Sequence, residues 1–227
     1  MIQPRILLAF VAGAVDTTTF LSLSGLFAAH VTGNFVLLAA TLVVGHPRGV
    51  WSKVASVPMF IVGVLLASFA AEALQQRGRD VRRPLLAAEL VLLLVALAMA
   101  AVFGPFADAD QPLPMTLAMI LVTSMAIQNA LGPLATPGEP STTVMTTNVT
   151  RLFVDLAALM TRTDLDSETR RTMRQQAVRI AEHCTAFLLG CAAGAAAHLL
   201  IDVWALAVPV VCVAWLLVLD VVQRAVR

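Results

Sequence analysis

The sequence predicts an all-α polytopic membrane protein. Three observations predict it. The 227 residues are 59% hydrophobic and only 13% charged, about half the roughly 25% charged share of a soluble domain. Mean hydropathy is +0.86. The apolar residues fall into helix-length runs broken by Pro, Gly and Arg-rich stretches.

Eight apolar segments follow in order: 6–23, 31–45, 54–75, 84–103, 115–134, 144–160, 184–201 and 203–222. A full span needs about 20 residues, each rising about 1.5 Å. Segments 31–45 and 144–160 are short. Residues 1–14 superficially mimic a secretory signal, with Arg5 before the apolar run Ile6–Val11. They are better read as the first span, because a repeat needs them there.

The repeat is centred on the two short segments. His30-Val31-Thr32-Gly33-Asn34-Phe35-Val36-Leu37-Leu38-Ala39 resembles Asn148-Val149-Thr150-Arg151-Leu152-Phe153-Val154-Asp155-Leu156-Ala157, an offset of 118 that sets His30 on Asn148. Phe60-x-x-Gly63 likewise matches Phe187-x-x-Gly190 at an offset of 127, the longer 161–182 loop making the difference. Upstream, Asp16 sits where Gln128 and Asn129 sit. The chain therefore reads as two homologous halves, 1–104 and 113–227.

Charge in the loops orients these halves. Arg77, Arg79, Arg82 and Arg83 crowd one loop, and Arg162, Arg170, Arg171, Arg174 and Arg179 another. The 104–114 loop carries Asp108 and Asp110 and no base. Positive loops stay cytoplasmic. If all eight segments cross, the 76–83 loop falls outside and breaks that rule; the halves are then parallel repeats. If the two short segments are half-helices that do not cross, six full spans remain. Both Arg-rich loops and both termini then lie in the cytoplasm, and only Arg48 and Lys53 are misplaced. Three spans per half make the repeats inverted, an architecture found in many secondary transporters. The six-span form is the expected one. The 161–182 loop reads as a solvated connector, with Thr163 or Asp164 available to cap a short surface helix.

The short segments also carry the polar residues. Irregular backbone at membrane depth survives only when buried in protein or lining a cavity. Ser22-x-Ser24-Gly25, His30-x-Thr32-Gly33-Asn34 and Ser141-Thr142-Thr143-x-x-Thr146-Thr147-Asn148-x-Thr150 have the composition for it. Thr32 or Asn34, and Thr147 or Asn148, can cap the helices that follow. Free first-turn amides and the helix dipole then favour an anion or carboxylate. Two such helix starts facing each other would make one central site. Asp16, inside the first span, is expensive unless paired and is a functional-site hypothesis by default. His30 is its expected partner, and together they could hold and pass a proton. Gln128 and Asn129 occupy the equivalent place without titrating.

Other polar residues have plainer roles. Arg151 and Asp155 are spaced for an i,i+4 ion pair, with anion binding by Arg151 as the alternative. Glu89 is expected to snorkel or to pair with an arginine of the 76–83 loop. Gly63, Ala67, Gly190, Gly194 and Ala195 form small-residue seams for close helix contact. Cys184, Cys191 and Cys212 lie in apolar runs without metal spacing. No nucleophile–base set, phosphate loop or Cys/His pattern is present, so no enzyme, cofactor or metal is expected. A net charge of +1 leaves no nucleic-acid footprint.

Gly13-Ala14-Val15-Asp16 and Gly25-Leu26-Phe27-Ala28-Ala29-His30-Val31-Thr32-Gly33-Asn34 resemble the YoaK-type bacterial membrane proteins, a domain-of-unknown-function group. The resemblance extends to Gln128-Asn129. It departs at Asn148-Val149-Thr150-Arg151, where the family pattern has His for Asn148 and Gly for Arg151. It implies a polytopic bacterial inner-membrane protein of about six spans and supplies no substrate. The expected function is a small secondary transporter or channel-like permease for a small anion or carboxylate, with proton coupling through Asp16 and His30. Its site would comprise Asp16, His30, Thr32, Gly33, Asn34, Gln128, Asn129, Thr146, Thr147, Asn148, Thr150 and Arg151. The alternative is a scaffold or sensor that binds a lipid or a partner helix. The expected partners are the lipid bilayer and a small anionic substrate. A chain this small often forms a homodimer, but no span announces the interface.

Overall fold

The computed structural model describes residues 4–44, 48–135, 142–143, 145–162 and 166–225. Among the described residues there are eight α-helices: α1 (Pro4–Ser22), α2 (Gly33–Val44), α3 (Val50–Gln76), α4 (Arg82–Phe103), α5 (Pro112–Ala135), α6 (Met145–Thr161), α7 (Ser167–Ile201) and α8 (Ala207–Ala225). A 3₁₀ turn, Asp202–Leu206, joins the last two. No strand occurs among the described residues. Among the described residues, five apolar segments are long enough to cross a membrane; the last, Ser167–Val222, runs through both α7 and α8. The chain thus has the helical make-up of a multi-pass membrane protein. Its outward side chains fit that reading, with Phe69, Leu188 and Leu199 all more than two-thirds exposed.

Two close helix pairs form the centre, and small residues make both. In α1 and α7, a Cβ on Gly190 would lie 2.0 Å from the Phe10 carbonyl, and one on Gly194 would lie 2.7 Å from that of Ala14. Rising numbers meet rising numbers, so the two helices run parallel. In α3 and α5, Gly63 meets Thr123 and Ala126, while the Ser52 N–H donates to Asp110 Oδ1 at 2.9 Å. This pair is parallel too. Such seams let backbones approach closely enough for dispersion to hold helices that lipid does not push together. Helix α4 packs on α5, and α8 packs on both α1 and α4.

The two ends of the bundle differ in chemistry. At one end, the Asp108 and Asp110 carboxylates cap the start of α3 from another loop, accepting from the N–H groups of Gly49 (3.1 Å) and Val50 (2.9 Å). Lys53 is buried there, its Nζ donating to the carbonyls of Ser24 (2.6 Å) and Gly49 (3.1 Å). At the other end, Arg5 reaches the Gly132 carbonyl at 3.2 Å.

These contacts fix where α2 goes. The end of α1 and the start of α3 touch through Ser24, Gly49 and Lys53, so the chain between them leaves and returns at one end. In the second half, Arg170 near the start of α7 donates to the carbonyls of Leu159 (3.1 Å) and Arg162 (2.8 Å) at the close of α6. Helix α6 packs against α7. Helix α2 has 12 residues, roughly 18 Å of rise, well short of a hydrocarbon core about 30 Å thick.

The stretch expected to be a solvated connector is instead the first part of α7, a continuous 35-residue helix. Its cap is Asp166, whose Oδ1 accepts from the Thr169 N–H at 2.7 Å; Thr163 and Asp164 lie outside the described residues, as does Ser141. Glu89 neither snorkels nor pairs. It is fully buried between α4 and α5, and neither carboxyl oxygen has a partner. Position explains this: Glu89 lies two turns into α4, beside Ser124 of α5, whose hydroxyl donates to the Glu89 carbonyl at 3.4 Å.

Candidate functional site

Asp16 lies six residues before the end of α1 and is buried. Its helix ends in a turn that Gly25, with φ +75°, and Ser24, with φ +52°, make possible. The chain then folds back along α1 and presents its amides to the carboxylate. Asp16 Oδ1 accepts from the N–H groups of Ala28 (2.8 Å) and Ala29 (2.6 Å). Oδ2 accepts from the His30 N–H (3.2 Å) and faces His30 Nδ1 at 2.5 Å. The expected Asp16–His30 pair is therefore present, and three backbone amides share the same carboxylate.

Asn34 locks the far side of this loop. Its Oδ1 accepts from the Phe27 N–H at 2.9 Å, and its Nδ2 donates to the Phe27 carbonyl at 2.8 Å and to Ser56 Oγ on α3 at 3.0 Å. Asn34 thus staples the loop and leaves its own helix uncapped. Nor are the first amides of α2 free, as the sequence led us to expect. The N–H groups of Gly33, Asn34 and Phe35 donate to the carbonyls of His30 (2.8 Å), Val31 (3.0 Å) and Thr32 (3.2 Å). A tight turn satisfies them locally; what reaches beyond is the positive end of the helix dipole.

The second half repeats the arrangement with neutral groups. Asn129 lies six residues before the end of α5. Its Oδ1 accepts from the Thr143 hydroxyl, fourteen residues on, as His30 lies fourteen residues after Asp16. Gln128 Nε2 donates to the Leu8 carbonyl at 3.0 Å and reaches Thr142 Oγ1 at 3.5 Å. The residue that faces Asn129 as His30 faces Asp16 is therefore Thr143. The sequence repeat, which set Asn148 opposite His30, followed the similar apolar runs. The structure follows the distance from the polar residue inside the preceding helix.

The two loops meet. The His30 ring comes up to the backbone of Thr143, and it packs edge-on against Phe187 of α7, centroids 5.1 Å apart. Beside this contact is a cavity of about 570 Å³. His30, Thr32, Asn129, Thr143 and Thr146 give it polar groups; Phe35, Val57, Phe60, Ile61 and Met145 give it an apolar wall. The starts of α2 and α6 both border it.

Not every expected residue reaches this cavity. His30, Thr32, Asn129 and Thr146 line it, and Asp16 stands directly behind His30. Gly33 packs on the Phe27 ring, where a Cβ would come within 3.0 Å. Asn34, Gln128 and Asn148 are buried to the side. Thr147 and Thr150 face outward, and the Thr150 hydroxyl donates back to the Thr146 carbonyl at 2.9 Å. The Arg151–Asp155 pair is not made. Arg151 turns to Gln176 on α7, whose amide oxygen accepts from it once that amide is oriented toward the guanidinium. A facing helix offers Arg151 a planar acceptor, and Asp155 keeps one buried oxygen without a partner. From sequence Thr143 stood only within the polar stretch expected to line a cavity, without its place opposite Asn129, and the apolar wall was missed. The fourteen-residue spacing was the available signal for Thr143.

A family model described as a protein of unknown function (DUF1275) matches residues 5–219. The chain belongs to that family, in agreement with the YoaK-type resemblance of its motifs. No curated protein and no solved structure matches it.

Proposed function

We propose that this member of the DUF1275 family is a small secondary transporter or channel-like permease for a small anion or carboxylate, built from two inverted repeats. The observation that carries the reading is the contact of His30 with Thr143 beside a cavity bordered by the starts of α2 and α6. Several packing relations support inversion. Exchanging α1–α4 with α5–α8 maps the α1–α7 contact onto α3–α5, the α2–α3 contact onto α6–α7, and the α1–α8 contact onto α4–α5. Helices α2 and α6 then run from the middle of the bilayer toward opposite faces. The six remaining helices cross, the Arg-rich loops lie in the cytoplasm, and the protein resides in the bacterial inner membrane.

The site reads as follows. Both half-helices turn their positive dipole ends to the cavity, which favours a negative ligand group. Asp16 is held by three backbone amides. The His30 ring is the variable member. Protonated, it has an N–H for Asp16 and another for the Thr143 backbone at once; neutral, it has a single N–H to share between them. Proton binding is thereby tied to the contact that joins the two halves, which is the link a coupled carrier needs.

The test is reconstitution. Proteoliposomes are loaded or supplied with radiolabelled formate, acetate, lactate, chloride and phosphate, and uptake is compared with protein-free vesicles under a pH gradient. Uptake of at least one anion that Asp16→Asn abolishes or uncouples from the gradient is expected. Uptake that is unchanged in Asp16→Asn removes the coupling role, and none above background removes the transporter. A second reading, a scaffold that transports nothing, draws on the local satisfaction of the α2 amides. It would show binding of a lipid or helix with no flux.

A further inference from the structure

The cavity says more about its ligand than its sign. Resting on the transporter reading above, we infer that the ligand is an organic monocarboxylate with an apolar body, such as a medium-chain aliphatic or aromatic acid. Inorganic anions and polyanions are the wrong chemistry for this site. Three observations carry this.

The first is charge. Among the described residues that line the cavity, His30 is the one that can carry a positive charge; there is no Lys, Arg, Asp or Glu. That charge already faces the Asp16 carboxylate. A dianion or a phosphate would find no second cation and no bidentate guanidinium. Two helix dipole ends and one shared imidazole suit a single negative charge.

The second is hydrogen bonding. The amides of Gly33, Asn34 and Phe35 are closed into a turn, and Asn129 is taken by Thr143 and by the Met125 carbonyl, to which its Nδ2 donates at 2.9 Å. Among the described residues, the donors left for a ligand are few, chiefly the hydroxyls of Thr32 and Thr146. A hydrated inorganic ion needs its whole shell replaced, and this lining cannot do that. A carboxylate needs two to four donors on one side only.

The third is the opposite wall. Phe35, Val57, Phe60, Ile61 and Met145 are contributed by α2, α3 and α6. In about 570 Å³, a volume typical of small-molecule sites, an inorganic ion would leave this wall against trapped water. A hydrocarbon body covers it, and each methylene buried adds about 0.8 kcal/mol, or roughly fourfold in affinity.

Binding to the purified full-length protein in nanodiscs is measured by isothermal titration against empty nanodiscs. The probes are acetate, butyrate, hexanoate, benzoate, hexanamide and inorganic phosphate. Affinity is expected to climb by up to about fourfold per methylene from acetate to hexanoate. Benzoate should bind, hexanamide should bind at least about tenfold more weakly than hexanoate, and phosphate should give no heat. Phe60→Ala, which trims the wall away from the hydrogen-bonded loop, should flatten the chain-length trend from acetate to hexanoate. Acetate or phosphate binding as tightly as hexanoate overturns this inference and leaves the anion transporter standing. Hexanoate and hexanamide binding alike, both indifferent to Phe60→Ala, is partition into lipid and overturns it as well. No heat from any anion overturns both readings.

Discussion

Asp16 is the residue on which the loop before α2 depends most, and the structure gives the cost of losing it. Asp16→Ala removes the acceptor of three backbone N–H groups and of the His30 ring. Ala28 and Ala29 are fully buried, at 0% and 6% exposure, so water cannot replace the carboxylate there. Each orphaned buried donor costs about 1–3 kcal/mol. Three amides and one charge-assisted bond together make a loss on the order of 5 kcal/mol, at the extreme of single substitutions. His30→Ala removes the ring's bond to Asp16, its contact with the Thr143 backbone and its packing on Phe187 but leaves the three amides paired, so its cost is about 1–3 kcal/mol. Asp16→Asn keeps one acceptor oxygen and turns an NH₂ toward the His30 N–H, placing it between the two. The assay is unfolding of all three variants in one detergent, followed by circular dichroism. The expected order of loss is Asp16→Ala, then Asp16→Asn, then His30→Ala. If His30→Ala costs as much as Asp16→Ala, the ion pair rather than the amide cradle organises the loop. If Asp16→Ala costs nothing, the cradle is not formed.

Four further substitutions test the packing around the site. Gly190→Ala puts a Cβ 2.0 Å from the Phe10 carbonyl, forcing α1 from α7, and should cost about 1–3 kcal/mol or more. Among the described residues, Gly132→Ala meets nothing nearer than Arg5 Nη2 at 3.8 Å and should be neutral or slightly stabilising, so unfolding midpoints of the two separate a seam from a generic glycine effect. Asn34→Leu removes three hydrogen bonds that tie Phe27 and Ser56 to the start of α2. It should cost about 2–4 kcal/mol and speed amide exchange at Phe27, which mass spectrometry reads directly. Glu89→Met replaces a fully buried, unpartnered carboxyl by an apolar group of similar length. It should stabilise the protein by about 1–3 kcal/mol; a lower unfolding midpoint would mean that Glu89 has a partner in the bilayer.

Much of the architecture was legible because it rests on composition and period. The runs, the two short segments and the Gly-based seams at Gly63, Gly190 and Gly194 follow from hydropathy and side-chain size alone. Asp16 and His30 were also legible, since an acid inside a span must find a partner within reach of its own loop. What escaped reading depends on long-range geometry. Lys53 looked misplaced by charge, yet it is spent inside the protein on the Ser24 and Gly49 carbonyls, with Asp108 and Asp110 close by; no local pattern encodes a partner some 55 residues away. Asn34 looked like a helix cap because caps are local and common, whereas its amide reaches back to Phe27. Thr143 was hidden because apolar similarity set the repeat register, and Ala/Leu/Val-rich helices match in more than one register.

The central claim is that α2 enters and leaves at one face. Gly49, the obvious reporter, has φ +68° and would place a Cβ 2.7 Å from that of Ser24, so a cysteine there would disturb the turn it reports on. Arg48 and Gln111 are exposed at the same end of the bundle, and Arg79 is exposed near the other. In a background with Cys184, Cys191 and Cys212 replaced, each of the three is changed to cysteine, one at a time. Intact cells are then labelled with a membrane-impermeant maleimide. Arg48→Cys and Gln111→Cys should both label from outside, and Arg79→Cys only after the membrane is opened. Labelling of Arg48→Cys and Gln111→Cys from opposite sides would mean that α2 crosses, that the repeats are parallel, and that the two half-helices share no central site.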